Sequence, residues 1–189
     1  MKKYKNPLSM FVVFEKLNPI MYTSEVLKPN HYVCVVNSKW FYSINSFLKK
    51  DVFFNFSSLI EMSAIDTYKY SHIIPNLNIK TTSRRLLVYY IYYCYFNKIR
   101  LTLSYFSGLN TNQSSVEKVF KNANWLEREA SEMYGLNFFF KKDTRTLLLD
   151  YSKNEHPMLK EYPSEGYGEL YYDFFDTQLH YMESEPVEL

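Results

Sequence analysis

The clearest hydrophobic pattern along this chain lies between positions 86 and 106. Leu86 to Phe96 is an almost unbroken run of Leu, Val, Ile, Tyr and Phe. After Asn97 and Lys98, the positions Ile99, Leu101, Leu103 and Tyr105 alternate with polar residues. Successive side chains of a strand point to opposite faces, so alternation with a period of two marks a half-buried strand. The two runs predict an antiparallel hairpin with a short turn. The first arm is apolar on both faces and is expected to be central in its sheet, and the second to have one wetter face.

Upstream, the Val-rich run His31 to Val36 predicts another strand, and Ser38 is placed to cap a short helix from Lys39 to Lys50. Phe53 to Asp66 fits either a strand or a helix. Tyr68 to Thr82, broken by Pro75, reads as a loop, and Ser107 to Ser114 as a polar connection. Ser115 to Lys121 and Asn124 to Tyr134 predict two consecutive helical segments. Asn124 with Glu127 three positions on has the form of a capping box, and Gly135 supplies a left-handed stop. Residues 1-30 carry Pro7, Pro19 and Pro29 without a sustained period and read as an irregular N-terminal extension. Residues 150-189 are punctuated by Pro157, Pro163, Gly166, Gly168 and Pro186 and have no core of their own. They are expected to form an extended C-terminal arm lying on another surface. The fold expected for residues 31-149 is α+β, a mixed or antiparallel sheet with helices packed on one face.

Composition narrows the functional classes. With 189 residues and 47% hydrophobic positions, the chain can bury one sizeable core. The net charge of +2 hides an asymmetry: residues 1-149 hold 20 Lys+Arg against 10 Asp+Glu, and residues 150-189 hold 2 against 10. The two parts are set to attract each other or two different partners. The apolar segment Met10 to Phe14 is too short for a secretory signal, residues 1-30 lack the Arg of a transit peptide, and no apolar run reaches the length of a bilayer span.

Candidate chemistry is sparse. Cys34 and Cys94 are isolated from each other and from further cysteines, unlike zinc or iron–sulfur ligands, and read as buried thiols. His31, His72, His156 and His180 form no pair at helical spacing. Gly166-Tyr167-Gly168 lacks the third glycine and the flanking strand and helix of a dinucleotide fingerprint. Asp173, Asp176 and Glu183 lack the ligand spacing of a calcium loop. Aromatic strands with interspersed cations raise an RNA-binding sheet as another class. The contiguous aromatics of residues 89-96 are more typical of a core.

Glu127-Arg128-Glu129, followed by Glu132, Met133 and Tyr134, then Lys141, Arg145, Leu147 and Leu148, resembles the signature of the respiratory complex I 30-kilodalton subunit family, to which mitochondrially encoded NADH dehydrogenase subunit 9 belongs. The lead-in Asn122-Ala123-Asn124-Trp125 agrees, as do the downstream His156-Pro157, Lys160-Glu161-Tyr162-Pro163, Gly166-Tyr167 and the terminal Glu185 to Leu189. Glu155, Leu159 and Tyr171 depart from it, standing where Gly, Arg and Arg are usual. The resemblance implies a non-catalytic subunit on the matrix side of the mitochondrial inner membrane, in the peripheral arm of the NADH:ubiquinone oxidoreductase. It implies no cofactor or metal on this chain, with the iron–sulfur clusters, FMN and ubiquinone on other subunits. It implies core subunits beside the quinone pocket as partners, and synthesis from an organelle genome. A related membrane-bound hydrogenase or NAD(P)H dehydrogenase is the alternative within the resemblance.

The signature residues are expected to serve structure and interfaces. At about 100° per residue, and with Trp125 at zero, Glu129 falls near ~40°, between Trp125 and Met133 on the apolar arc. There it would be buried and would need a cation or backbone N–H groups, with Lys141 and Arg145 the nearest candidates in sequence. Arg128 and Glu132 would form an exposed i,i+4 pair. A tilted helix would instead leave Glu129 at its edge in water.

Overall fold

The computed structural model describes residues 21–28, 30–51, 55–68, 85–109, 111–151 and 155–184, with backbone alone for the first of these. Nine strands and two α-helices occur among them: β1 (Met21–Lys28), β2 (His31–Val36), α1 (Phe41–Lys50), β3 (Ser58–Asp66), β4 (Leu86–Cys94), β5 (Ile99–Ser107), β6 (Asn112–Ser114), α2 (Ala123–Tyr134), β7 (Asn137–Phe139), β8 (Gly168–Asp173) and β9 (Gln178–Glu183). The sheet order is β1-β2-β5-β4-β3, parallel only between β2 and β5, so the architecture is α+β with a mixed sheet.

The hairpin folds as its alternation predicts, with Tyr90 opposite Leu103, Tyr92 opposite Leu101 and a turn between Cys94 and Ile99. Those residues and Val88 line one face, with Tyr32 and Cys34 of β2 and Leu59, Met62 and Ala64 of β3. A bulge between Leu59 and Glu61 lets residues 59 and 62 share the buried face although they are three apart. This irregularity is why the segment fitted neither period cleanly.

α1 buries Phe41, Ile44 and Leu48, a stripe at helical spacing, and the Phe41 ring lies 4.7 Å from Tyr90 and 4.6 Å from Tyr105. α2 adds Ala123 and Ala130 to the same core, and the links before and after it add Val116, Phe120 and Leu136. The helices therefore cover one face of the sheet. Both thiols are buried, and burial pushes Cys34 up to about 12.

Four expectations need correction. The first hairpin arm, β4, is interior, but the middle strand is the second arm, β5, because β2 pairs with its far side from some seventy positions upstream; its other face is exposed at Arg100 and half-buried at Thr102. Residues 21–28, expected within an irregular extension, form edge strand β1, whose two register shifts break any regular alternation. Ser115 to Lys121 is a set of turns. Before α1 the chain makes a 3-10 turn at Ser38–Trp40, and Asn37 caps it where Ser38 was expected to cap a helix. The predicted loop at residues 68–82 lies mostly outside the described residues, as do residues 1–20 and 185–189.

Candidate functional site: a helix clasped to the loop that follows it

α2 starts at Ala123, with Asn122 in the cap position but making no side-chain cap; its amide donates to the Leu59 carbonyl and ties the helix start to β3. The capping box expected from Asn124 and Glu127 is not made, because Glu127 is turned inward. Its side chain is fully buried. Oε2 accepts from Ser115 Oγ at 2.6 Å and Oε1 from the Val116 N–H at 2.8 Å. Lys141 Nζ lies 3.4 Å from Oε2 and donates to the Asn124 carbonyl at 2.7 Å. Burial raises the Glu127 pKa, against the pull of Ser115, Val116 and Lys141, and burial lowers that of Lys141. The pair is desolvated on both sides.

One residue along, Arg128 holds the stretch that follows Lys141. Its guanidinium donates to the Arg145 carbonyl at 2.9 Å and the Thr146 carbonyl at 3.0 Å, and meets Asp143 at 3.3 Å. Arg145 in turn forks onto Asp143 at 3.0 and 2.8 Å, and it is chiefly that side-chain contact that holds the Asp143 carboxyl low. A turn further on, the buried Glu132 carboxylate accepts the backbone N–H groups of Leu147, Leu148 and Leu149, the last at 2.7 Å. Burial raises its pKa, but those three donors and Arg128 outweigh it and the net shift is downward. Glu127, Arg128 and Glu132 thus clasp Lys141, residues 143–146 and residues 147–149 in sequence order.

The sequence pattern had pointed to the wrong acid. Glu129 is exposed and makes no hydrogen bond or ion pair with any described residue. The error came from counting Trp125 as core; it is 62% exposed, with the Arg128 guanidinium 5.7 Å from its ring centroid. Arg128 and Glu132, expected to pair in water, instead both bind the loop. We expect Glu129→Ala to change the unfolding free energy by no more than about 0.5 kcal/mol, as at an ordinary surface position; urea denaturation would show whether it does.

The end of α2 is closed by the arm. Gly135 is left-handed, φ 70°, and its N–H returns to the Ser131 carbonyl. His156 Nδ1 lies 2.7 Å from the Glu132 carbonyl, so that nitrogen is the protonated one, and the Met158 N–H bonds the Met133 carbonyl at 3.1 Å. A Cβ at Gly135 would sit 2.9 Å from the His156 ring. Gly135→Ala therefore meets a left-handed backbone and an imidazole together, and should cost at least about 1 to 2 kcal/mol. Thermal denaturation should show the loss, and an unchanged Tm would mean that neither the left-handed backbone nor the imidazole resists the added methyl group.

The same stretch is pinned to the sheet. Asp66, at the end of β3, takes a forked bond from Arg85 and backbone N–H groups from Tyr68 and Lys160, while Arg85 also meets Glu161 at 3.0 Å. Burial opposes ionisation of Asp66, yet Arg85 and the two backbone donors leave its pKa lowered. Sequence reasoning missed this latch, as it missed Ser115 and Asp143. Asp66 and Arg85 were detectable only once β3 and β4 were known to pair antiparallel, with Asp66 opposite Leu86. Pro157 and Pro163 are half-buried, the Pro163 carbonyl accepts the Gly166 N–H, and Tyr162 and Tyr167 meet edge to face. Met133 and Tyr134 are half-buried, and burial raises the Tyr134 pKa.

The departures from the signature have local partners. Glu155 accepts the Tyr162 hydroxyl, Leu159 packs against the core, and Tyr171 stacks on His180 at 5.6 Å. Among the described residues, one group carries potential metal ligands close together: Asp173, Asp176 and His180, with ligand atoms within 4.8 Å of one another. It lies at the exposed end of the β8–β9 ribbon, where acidic groups commonly gather without an ion.

Comparisons with known proteins agree with the signature. The sequence model described as "Respiratory-chain NADH dehydrogenase, 30 Kd subunit" matches residues 34–168. NADH-ubiquinone oxidoreductase subunit 9 of Paramecium primaurelia is 36% identical over 183 residues, covering 97% of this chain and 87% of the relative. NADH dehydrogenase [ubiquinone] iron-sulfur protein 3 of Patellifolia webbiana is 32% identical over 155 residues, 81% of this chain and 72% of the relative. Among solved structures, a trypsin-resistant fragment of Nqo5 shares the fold with a TM-score of 0.57 and 17% identity, over 72% of this chain and 98% of the fragment. A chain of an archaeal membrane-bound sulfane sulfur reductase does so with a TM-score of 0.62 and 14% identity, over 82% and 85%. With its signature residues clasped as described and its family model matched over most of its length, this chain belongs to the 30-kilodalton subunit family of the respiratory-chain NADH dehydrogenase.

Proposed function

We propose that this chain, a subunit of respiratory complex I by its family, is a non-catalytic organiser of the peripheral arm on the matrix side of the mitochondrial inner membrane. It holds neighbouring subunits in register so that electrons from NADH reach ubiquinone. Flavin, iron–sulfur clusters and quinone are held by those neighbours, and proton translocation is the work of the whole assembly. Residues 150-189 serve as the arm that engages them. The observation that carries this reading is the use made of the signature. Glu127, Arg128, Glu132 and Lys141, four charged residues of the signature, are committed to holding α2 against the loop after it. A general base needs an acceptor free to take a proton from a substrate, and these carboxylates already accept from this chain's own groups. No helix among the described residues is long and apolar enough to cross a membrane, in keeping with a peripheral place.

The test is native electrophoresis of solubilised mitochondrial membranes with mass spectrometry of the bands. The chain should run in a megadalton band that oxidises NADH. Recovery only in smaller species without that activity would overturn the proposal.

A further inference from the structure

Two phenylalanines at the β8–β9 turn are the most exposed large apolar residues among those described: Phe174 is 85% exposed and Phe175 98%. The ribbon behind them pairs with no other described strand, and no described element covers its faces. Its register sorts the side chains. Leu170, Tyr172 and Leu179 share one face, with Leu179 directly opposite Tyr172. The other face is mixed, with Glu169, Asp173 and Gln178 beside Tyr171, His180 and Met182. The ring of Tyr181 lies where a Cβ at Gly168 would be, so the apolar face has a glycine at its base to admit that ring. An isolated two-stranded hairpin is marginal in water. One with an apolar face and a diphenylalanine tip presents the kind of surface that marks an interaction site.

Charge selects among the surfaces that could cover it. Residues 161–189 hold eight Asp+Glu and no Lys or Arg. An anionic lipid surface would repel such a segment. A protein groove with an apolar floor and Lys or Arg along its rim would attract it and pair its rim charges.

We propose that the β8–β9 ribbon docks by its Leu170/Tyr172/Leu179 face, with Phe174 and Phe175 as buried anchors, into a cation-rimmed apolar groove on another subunit of the complex. The inference rests on the family reading above and adds the docking element and the chemistry of its receptor. Aromatic anchors in desolvated pockets typically dominate an interface, with charged contacts at its edge.

The test uses the natural complex and the purified full chain, without substitutions. Hydroxyl-radical footprinting should oxidise Phe174 and Phe175 at least about ten-fold more slowly in the complex than in the free chain. A water-soluble carbodiimide, which joins carboxylates to lysine amines at contact distance, should link Glu169, Asp173 or Asp176 to lysines of one other subunit. Equal oxidation in both states overturns the proposal. So does protection without links, which would indicate a lipid or an uncharged surface, and so do links only to a second copy of this chain. In each of these cases the family reading stands, because the chain is still in the complex. Absence of the chain from the complex would overturn both.

Discussion

Lys141→Met is expected to lower the unfolding free energy of the purified chain by about 3 to 5 kcal/mol at neutral pH, the usual loss when one partner of a buried ion pair is removed. The reason is the position of Glu127, whose side chain has no exposed surface. Without the ammonium its carboxylate keeps only Ser115 Oγ and the Val116 N–H. The pH dependence identifies the partner. Burial raises Glu127 above the ordinary glutamate range in the fold. For a carboxyl shifted in that direction, the folded state binds the proton more tightly than the unfolded chain, and stability falls as pH rises from the unfolded value through the folded one. Removing Lys141 removes one of the groups that pull this pKa down, so the window extends upward. The deficit of Lys141→Met should therefore shrink as pH falls toward the ordinary glutamate range and the lone carboxyl takes a proton. Adding Glu127→Gln removes the second charge and should recover part of the loss at neutral pH. Urea titrations across this range measure all three effects. A deficit under about 1 kcal/mol, or one that does not change with pH, would show that the ammonium is not what keeps Glu127 in the core.

What the sequence revealed depended on how local the relevant contact is. The β4–β5 hairpin was legible because Ile99, Leu101, Leu103 and Tyr105 carry the period and their partners lie within a few positions of the turn. The place of β5 in the middle was not, because the pairing of Cys34 with Leu103 joins residues almost seventy positions apart. In α2 the helix stop was legible at Gly135, whose left-handed backbone is a local requirement. The inward carboxylate was not. With Trp125 at zero, Ala130 and Ala123 lie near ~140° and ~160° and Glu127 near ~200°. The two alanines, whose small side chains let the helix approach the sheet, define the buried arc better than the large exposed indole does. Size misled, and Ser115-Val116, the pair that receives Glu127, supplied no periodic signal. Glu132 is buried by a different route: the loop at residues 147–149 comes to it, so no wheel drawn on the helix alone places it inside.

That geometry makes Glu132→Ala the second large effect. Three consecutive backbone N–H groups, of Leu147, Leu148 and Leu149, converge on one carboxylate. A hydrogen bond to a charged acceptor contributes about 1.5 to 3 kcal/mol. Leu148 is exposed, so water would satisfy part of what is lost. A net cost of about 2 to 3 kcal/mol follows, with the loop released from the helix before the core unfolds. Amide hydrogen exchange should show this as a rise of at least about ten-fold at residues 147–149, with α1 and the sheet little changed. The acid limb gives an independent check of sign. Burial works against ionisation of Glu132, but the three N–H donors and Arg128 leave its folded pKa below the ordinary glutamate value. Such a group contributes stability above its unfolded pKa and loses it as pH falls through the folded one. The curves for the natural chain and for Glu132→Ala should therefore lie apart at neutral pH and converge below the ordinary glutamate range. Glu132→Gln, which keeps the shape and one acceptor oxygen but turns an NH2 group toward the same donors, should fall between them. Parallel curves down to the acid transition, with unchanged exchange at Leu147–Leu149, would mean that the loop is held by Arg128 and the leucine side chains alone.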